Sequence, residues 1–85
     1  MSHSILLLDG SSTWVSHFDY DGLSMFTWQR DDLGFVMRWR PIEGILQPLY
    51  MHRIIVGAWP DESVRHRDGN KLNNRFHNLH LQKQS

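Results

Sequence analysis

The chain has 85 residues, no cysteine and no net charge. This length allows one small domain, residues 1–85, with a modest core, and the missing cysteines exclude disulfides and thiolate zinc sites. The sequence has no apolar run of the roughly 18 residues that cross a membrane, and its start lacks the basic region of a secretory signal. We therefore expect a cytoplasmic protein that does not bind membranes.

The chain opens with a predicted β-hairpin. Residues 4–8 form a short apolar run that ends at Asp9-Gly10, a strong turn signal. Residues 13–16 favour strand structure, so they predict the second strand of the hairpin. Residues 19–25 then predict one or two turns of helix.

Three further strands are predicted in the first half of the chain. Polar and apolar residues alternate over residues 35–40, with Phe35, Met37 and Trp39 on one side. Turn signals separate this segment from its neighbours, as is typical of a meander. The predicted strands are residues 26–29, 35–40 and 45–50. We therefore predict an antiparallel meander within residues 1–50.

The second half begins with a predicted helix over residues 51–58. Its apolar residues recur at the spacing of one helix face, and Pro60 marks its end. Residues 64–67 then predict a strand, and residues 68–70 predict a tight turn because they read Asp-Gly-Asn.

Residues 64–81 have an unusual composition, since they hold three of the six His and all four Asn of the chain. Within them, Asn73 is a suitable N-cap for a short helix over residues 74–78, and residues 79–81 predict a final strand. An Asn side chain offers hydrogen-bond donors, acceptors and a metal-ligating oxygen, and His takes up a proton near neutral pH. This composition predicts a functional site.

The charges are unevenly distributed along the chain. Residues 1–50 carry three basic and six acidic residues, for a net charge of −3, whereas residues 51–85 carry six basic and three acidic residues, for a net charge of +3. A basic, His-rich second half suits contact with phosphate groups.

A spaced series of residues in the second half matches a known pattern. The series is Met51-His52-Arg53, His66, Gly69-Asn70, Asn73-Asn74-Arg75 and Asn78-Leu79. It resembles the HNH endonuclease family, in particular its small phage and intron-encoded branch, and residues 5–10, 20–28 and 34–36 are similar to the first half of that branch. The family's unit is the ββα-metal fold, a β-hairpin followed by a helix that grips one divalent metal. The resemblance implies an α+β fold, with an N-terminal antiparallel β meander followed by a C-terminal ββα-metal (HNH-like) unit over residues 51–85.

The same resemblance implies a metal-dependent DNA endonuclease or nickase that hydrolyses phosphodiester bonds. His66 matches the family's general base, and Asn74 matches the central Asn that braces the loop and holds the His strand by hydrogen bonds. Asn78 matches the metal ligand, with His80 as the expected second ligand of Mg²⁺, Mn²⁺ or another divalent ion. From the residues alone, a surface role for His66 and a helix C-cap role for Asn78 remain alternatives.

The partner that the resemblance implies is double-stranded DNA, in the cytoplasm of a host cell if the chain is phage-encoded. The side chains expected to contact it are cationic: Arg53, Arg65, Arg67, Lys71 and Arg75.

Arg65 departs from the family pattern. Active members often carry an Asp before the base, and its carboxylate is a metal ligand. A guanidinium cannot ligate a cation and repels it. Asp68, His77 and His80 are the side chains that offer a substitute. A non-catalytic nucleic-acid-binding module and a protein-interaction module are therefore alternative functions.

Overall fold

A computed structural model describes residues 2–83, which form eight strands, two short α-helices and one 3₁₀ turn. In chain order they are β1 (Ser2–Leu6), β2 (Ser12–Ser16), α1 (His17–Leu23), β3 (Gln29–Arg30), β4 (Val36–Ile42), β5 (Ile45–Tyr50), α2 (Met51–Val56), β6 (Ser63–His66), β7 (Asn73–Asn74), the 3₁₀ turn (Phe76–Asn78) and β8 (Leu79–Gln82). The fold is thus a small α+β fold built mostly of strands, as predicted.

The opening hairpin is present as the antiparallel pair β1–β2. Its turn forms because the Asp9 carboxylate accepts a hydrogen bond from the Ser11 N–H and Gly10 adopts a φ of 88°. A third strand joins the hairpin from the second half of the chain: β7 pairs with β2 in parallel, with Val15 opposite Asn74. The two halves of the chain therefore share a sheet.

The predicted meander is confirmed as the antiparallel sheet β3–β4–β5. Its first strand is shorter than expected, since β3 contains only Gln29 and Arg30. The preceding Trp28 is 1% exposed, and its indole N–H donates to the Leu23 carbonyl at 2.7 Å. Trp28 therefore ties this segment to the core and to the end of α1, which prevents earlier pairing with β4.

Helix α2 ends at Val56 and does not reach residue 58 as predicted. Gly57 adopts the left-handed conformation, with a φ of 68°, and its N–H bonds back to the helix. The Ala58 N–H donates to the Arg53 carbonyl at 3.0 Å, which satisfies another terminal acceptor. Gly57 therefore ends helix α2, and Pro60 lies beyond that end.

The predicted helix over residues 74–78, with Asn73 as its N-cap, is wrong. Asn73 and Asn74 are extended because they pair with β2, and only Phe76–Asn78 form a 3₁₀ turn. The final strand is confirmed as β8, which pairs antiparallel with β6. Residues 2–83 thus contain the antiparallel pair β6–β8, and within them no helix follows β8.

The core lies between the first sheet, the two helices and the start of β4. Val15, Trp28, Val36 and Met51 are each exposed by 1% or less and belong to one apolar cluster. The longer α-helix between Ser2 and Lys83 has seven residues, and no helix there is long and apolar enough to cross a membrane.

Candidate nucleic-acid site

The β6–β8 pair presents two different faces. Pairing sets His66 opposite Leu79 and Arg65 opposite His80. Because successive side chains of a strand point to opposite faces, His66 lies on the inner face and Arg65 and His80 lie on the outer face. Leu79 on the inner face is 5% exposed, which anchors that face on the protein.

A chain of hydrogen bonds fixes the His66 ring. Its Nε2 lies 2.8 Å from Oδ1 of Asn74, a residue that is 1% exposed. The Asn74 Nδ2 donates to Thr13 Oγ1 at 2.9 Å and to the Lys71 carbonyl at 3.3 Å. The Thr13 hydroxyl in turn donates to the Leu72 carbonyl at 2.8 Å. Four groups from both halves of the chain therefore hold one imidazole.

These bonds also fix the proton on the ring. The Lys71 carbonyl can only accept, so the Asn74 atom beside it is the NH₂ group and the atom facing His66 is the oxygen. An amide oxygen cannot donate, so Nε2 of His66 carries a hydrogen. In the neutral ring the free lone pair is therefore on Nδ1, which makes no hydrogen bond to any described residue.

A second histidine packs beside the first. The His52 ring centroid lies 5.2 Å from that of His66, and His52 stacks on Phe35 at 4.9 Å. His52 is 7% exposed. Burial, helped by the neighbouring charges of His66 and Arg53, lowers the pKa of His52 to about 4. At neutral pH His52 is therefore an uncharged ring that packs beside His66.

The Asn-rich loop is braced by its own side chains. Asp68 accepts hydrogen bonds from the side chains of Asn73 and Asn78 and from the Asn70 N–H. The Asn73 bond, followed by those from Asn70 and Asn78, lowers the pKa of Asp68 to about 2. The Asn78 Oδ1 accepts from the Asp68 N–H at 3.2 Å, and its Nδ2 also donates to the Asn73 carbonyl. Asn78 is thus a buried brace that ties the end of the loop to its start.

The two expected metal ligands, Asn78 and His80, have other partners in the described structure. The Asn78 Oδ1 accepts from the Asp68 N–H, and the His80 Nδ1 accepts from Arg67 at 3.4 Å. His77 lines a different surface depression together with His17 and Arg75. Among residues 2–83 no group of three or more His, Cys, Asp or Glu side chains is arranged to hold a metal ion.

Three of the five expected cationic residues lie around His66. Arg65 and Arg67 line a depression of about 240 Å³ with His66 and His80. Lys71 lines an adjoining depression of about 250 Å³, which His66 also borders. The Lys71 ammonium donates to the Leu33 carbonyl at 2.6 Å and lies 4.6 Å from the centre of the Phe35 ring. The surface on both sides of His66 is therefore cationic.

The other two cationic residues lie elsewhere. Arg53 donates to the Trp59 carbonyl at 2.7 Å and thereby braces the end of α2. Arg75 lies 5.3 Å from the Trp14 ring centre and lines the depression that contains His77. Neither is placed beside His66 in the described structure.

Comparison of the chain with models of protein families, with curated proteins and with solved structures returns no match. The function proposed below therefore rests on the residues and contacts of this chain.

The sequence alone did not point to Thr13 or Phe35 as parts of the site. Thr13 is separated from Asn74 by 61 positions, and it looks like an ordinary strand residue. Phe35 belongs to an alternating strand pattern and looks like an ordinary sheet residue. Only the pairing of β7 with β2 and the packing of α2 bring them beside His66.

Proposed function

We propose that this chain is an HNH-type endonuclease or nickase that hydrolyses phosphodiester bonds of DNA, with His66 as the general base. The observation that carries the proposal is the orientation of His66. A buried amide occupies Nε2 and leaves the Nδ1 lone pair free, in a half-buried ring between two cationic depressions. A base whose second nitrogen is held by an oriented group is a recurring arrangement in catalysis.

In the proposed reaction, Nδ1 of His66 takes a proton from a water molecule. The water oxygen forms a bond to phosphorus, and the bond between phosphorus and the leaving sugar oxygen breaks. That oxygen takes up a proton from solvent, so one water is consumed for each bond cut. Asn74 stabilises the imidazolium that forms, because its Oδ1 accepts the Nε2 hydrogen in both charge states of the ring.

The cations beside the base offset the negative charge of the phosphate. Arg65, Arg67 and Lys71 are the described side chains that flank His66 with positive charge. Positive groups already held in place before the reaction favour a transition state with more charge on the phosphate oxygens. Among residues 2–83 no group of three or more His, Cys, Asp or Glu side chains is arranged to hold a metal ion, and no step is assigned to one.

The proposal is tested by nicking of supercoiled plasmid with purified wild type, His66→Ala and His77→Ala, each in Mg²⁺, in Mn²⁺ and in EDTA. His77 is the matched control because it is an exposed histidine in a separate depression. We expect His66→Ala to nick at least about a hundredfold more slowly than wild type, as for loss of a general base. His77→Ala is expected to nick at the wild-type rate. Equal rates for His66→Ala and wild type would refute the role of His66.

A second candidate is a DNA-binding module without catalysis. Arg65 favours it, because it is paired with His80 across the two strands, and a guanidinium repels a cation and suits direct phosphate contact. Folded wild-type protein that binds duplex DNA but nicks it in no metal would select this function. In that case Arg65→Asp is expected to introduce metal-dependent nicking, because it replaces a repelling cation with a ligand opposite His80.

A further inference from the structure

The strand pair β4–β5 projects from the rest of the molecule. Met37 at its base is 2% exposed, whereas every residue from position 39 to 48 is exposed. Five residue steps separate Met37 from the last residue of β4, so the pair extends roughly 17 Å beyond its buried base at about 3.4 Å per step. We call residues 38–49 the ribbon.

The two faces of the ribbon differ in chemistry. Arg40 lies directly opposite Gln47, and Ile42 lies directly opposite Ile45. Directly opposed residues share a face, so these four side chains form one surface. The other surface is apolar and carries Trp39, Pro41, Leu46 and Pro48.

Charge decides which face suits a polyanion. The two strands of the ribbon contain no acidic residue, and Glu43 in the tip turn is the single acid between β4 and β5. The apolar face borders, at its base, a depression lined by Trp39 and Pro48 together with Arg30, Asp31 and Asp32, so the charged residues of that lining carry one negative charge in excess. Carboxylates disfavour phosphates on that side. The Arg40–Gln47 face has no such neighbour in β4 or β5.

The edges of the ribbon are closed to another strand. Pro41 interrupts the free edge of β4, and Pro48 interrupts that of β5. A proline offers no N–H to a neighbouring strand, so strand addition by a second protein chain is disfavoured at both edges. A partner is therefore expected to meet a face of the ribbon.

We propose that the ribbon enters the major groove of duplex DNA and that Arg40 and Gln47 contact base edges there. This inference rests on the proposed function. Two paired strands fit this groove, which is about 12 Å wide and about 8.5 Å deep. Arg pairs with guanine and Gln with adenine through two hydrogen bonds, and Ile42 and Ile45 offer methyl groups to thymine.

The ribbon is joined directly to the His66 site. Tyr50 ends β5 at the base of the ribbon, and its ring lies 5.8 Å from that of His52, which in turn lies 5.2 Å from His66. Arg38, also at the base, is held by Phe26, with the guanidinium carbon 3.8 Å from the ring centre. This contact makes Arg38 an anchor of the ribbon and leaves Arg40 as its free cation among the described residues.

The test measures binding of a fluorescent random-sequence duplex by wild type, by Arg40→Ala/Gln47→Ala and by the control Leu46→Ala, which alters the opposite face. We expect the double variant to bind at least about tenfold more weakly, as for loss of one or two base contacts. Leu46→Ala is expected to bind within about twofold of wild type. All substituted side chains are exposed, and circular dichroism with thermal unfolding checks that each variant is folded.

A second measurement uses only wild-type protein. Duplex whose cytosines carry glucosylated hydroxymethyl groups has an obstructed major groove, and netropsin obstructs the minor groove instead. We expect weaker binding to the first and unchanged binding with the second. If wild type binds duplex but neither the double variant nor the glucosylated duplex lowers affinity, the ribbon inference is overturned and the proposed function stands. If wild type neither binds nor nicks duplex, both fail together.

Discussion

Replacing Thr13 with valine tests whether the hydrogen-bonded chain behind His66 stabilises the fold. Thr13 is fully buried, and Val has nearly the same shape, so packing is kept while the hydroxyl is lost. The Asn74 Nδ2 then loses its 2.9 Å acceptor and keeps only the Lys71 carbonyl at 3.3 Å. The Leu72 carbonyl keeps the Trp14 N–H at 2.8 Å. One buried donor is left underpaired, which costs about 1–3 kcal/mol.

The matched control is Thr13→Ser, which keeps the hydroxyl and removes one buried methyl group. Loss of that methyl costs about 1 kcal/mol. The free energy of unfolding of the three proteins is measured by urea denaturation. We expect the order wild type, then Thr13→Ser, then Thr13→Val, with the valine variant least stable.

The opposite order would refute the reasoning. If Thr13→Val is as stable as wild type and Thr13→Ser is weaker, position 13 contributes only by its volume. Nitrogen-15 NMR of the His66 ring provides an independent readout. Wild type and Thr13→Ser are expected to carry the neutral-ring hydrogen on Nε2, whereas Thr13→Val weakens that preference because Asn74 is held less firmly.

Two further predictions concern acid stability and backbone strain. Burial lowers the pKa of His52 to about 4, so below its unfolded pKa of about 6.5 the unfolded chain binds a proton that the native chain refuses. The contribution of the neutral His52 to stability is therefore fully present above about pH 7.5 and is lost as the pH falls. Urea denaturation is expected to show that the free energy of unfolding drops by about 2 kcal/mol between about pH 7.5 and about pH 5, and that His52→Leu removes this drop. The same dependence of stability on pH in His52→Leu as in wild type would contradict the assignment. Gly57→Ala is expected to lower the free energy of unfolding by about 1 kcal/mol, because the φ of Gly57 is 68°. Its control, Gly22→Ala, lies in a helix with open space around it and is expected to raise the free energy of unfolding by about 0.5–1 kcal/mol. Equal effects of the two variants on the urea midpoint would exclude backbone strain at Gly57.

The sequence was informative where structure depends on neighbouring residues. The Asp9-Gly10 turn, the alternating strand β4 and the final strand β8 follow from local turn chemistry and from alternation of side chains. The dense cluster of His and Asn also marked the loop that carries His66. In each of these cases the signal and the structure lie within a few residues of each other.

The tertiary structure decided which residues meet. Asn73 and Asn74 are good helix-cap residues, yet they became a strand because β2 offered them backbone partners. The same pairing set Thr13 beside Asn74 and so fixed the proton on His66. No local pattern encodes a contact between residues 61 positions apart.

The described contacts also give other roles to residues that the resemblance placed in a metal centre. Asn78 and His80 are the expected metal ligands, but the His80 Nδ1 accepts from Arg67. The amide of Asn78 is instead hydrogen-bonded to Asp68 within the loop. The sequence by itself determined the residue types, the turns and most strands. Pairing register and packing decided the geometry of the site, because these depend on contacts between distant segments.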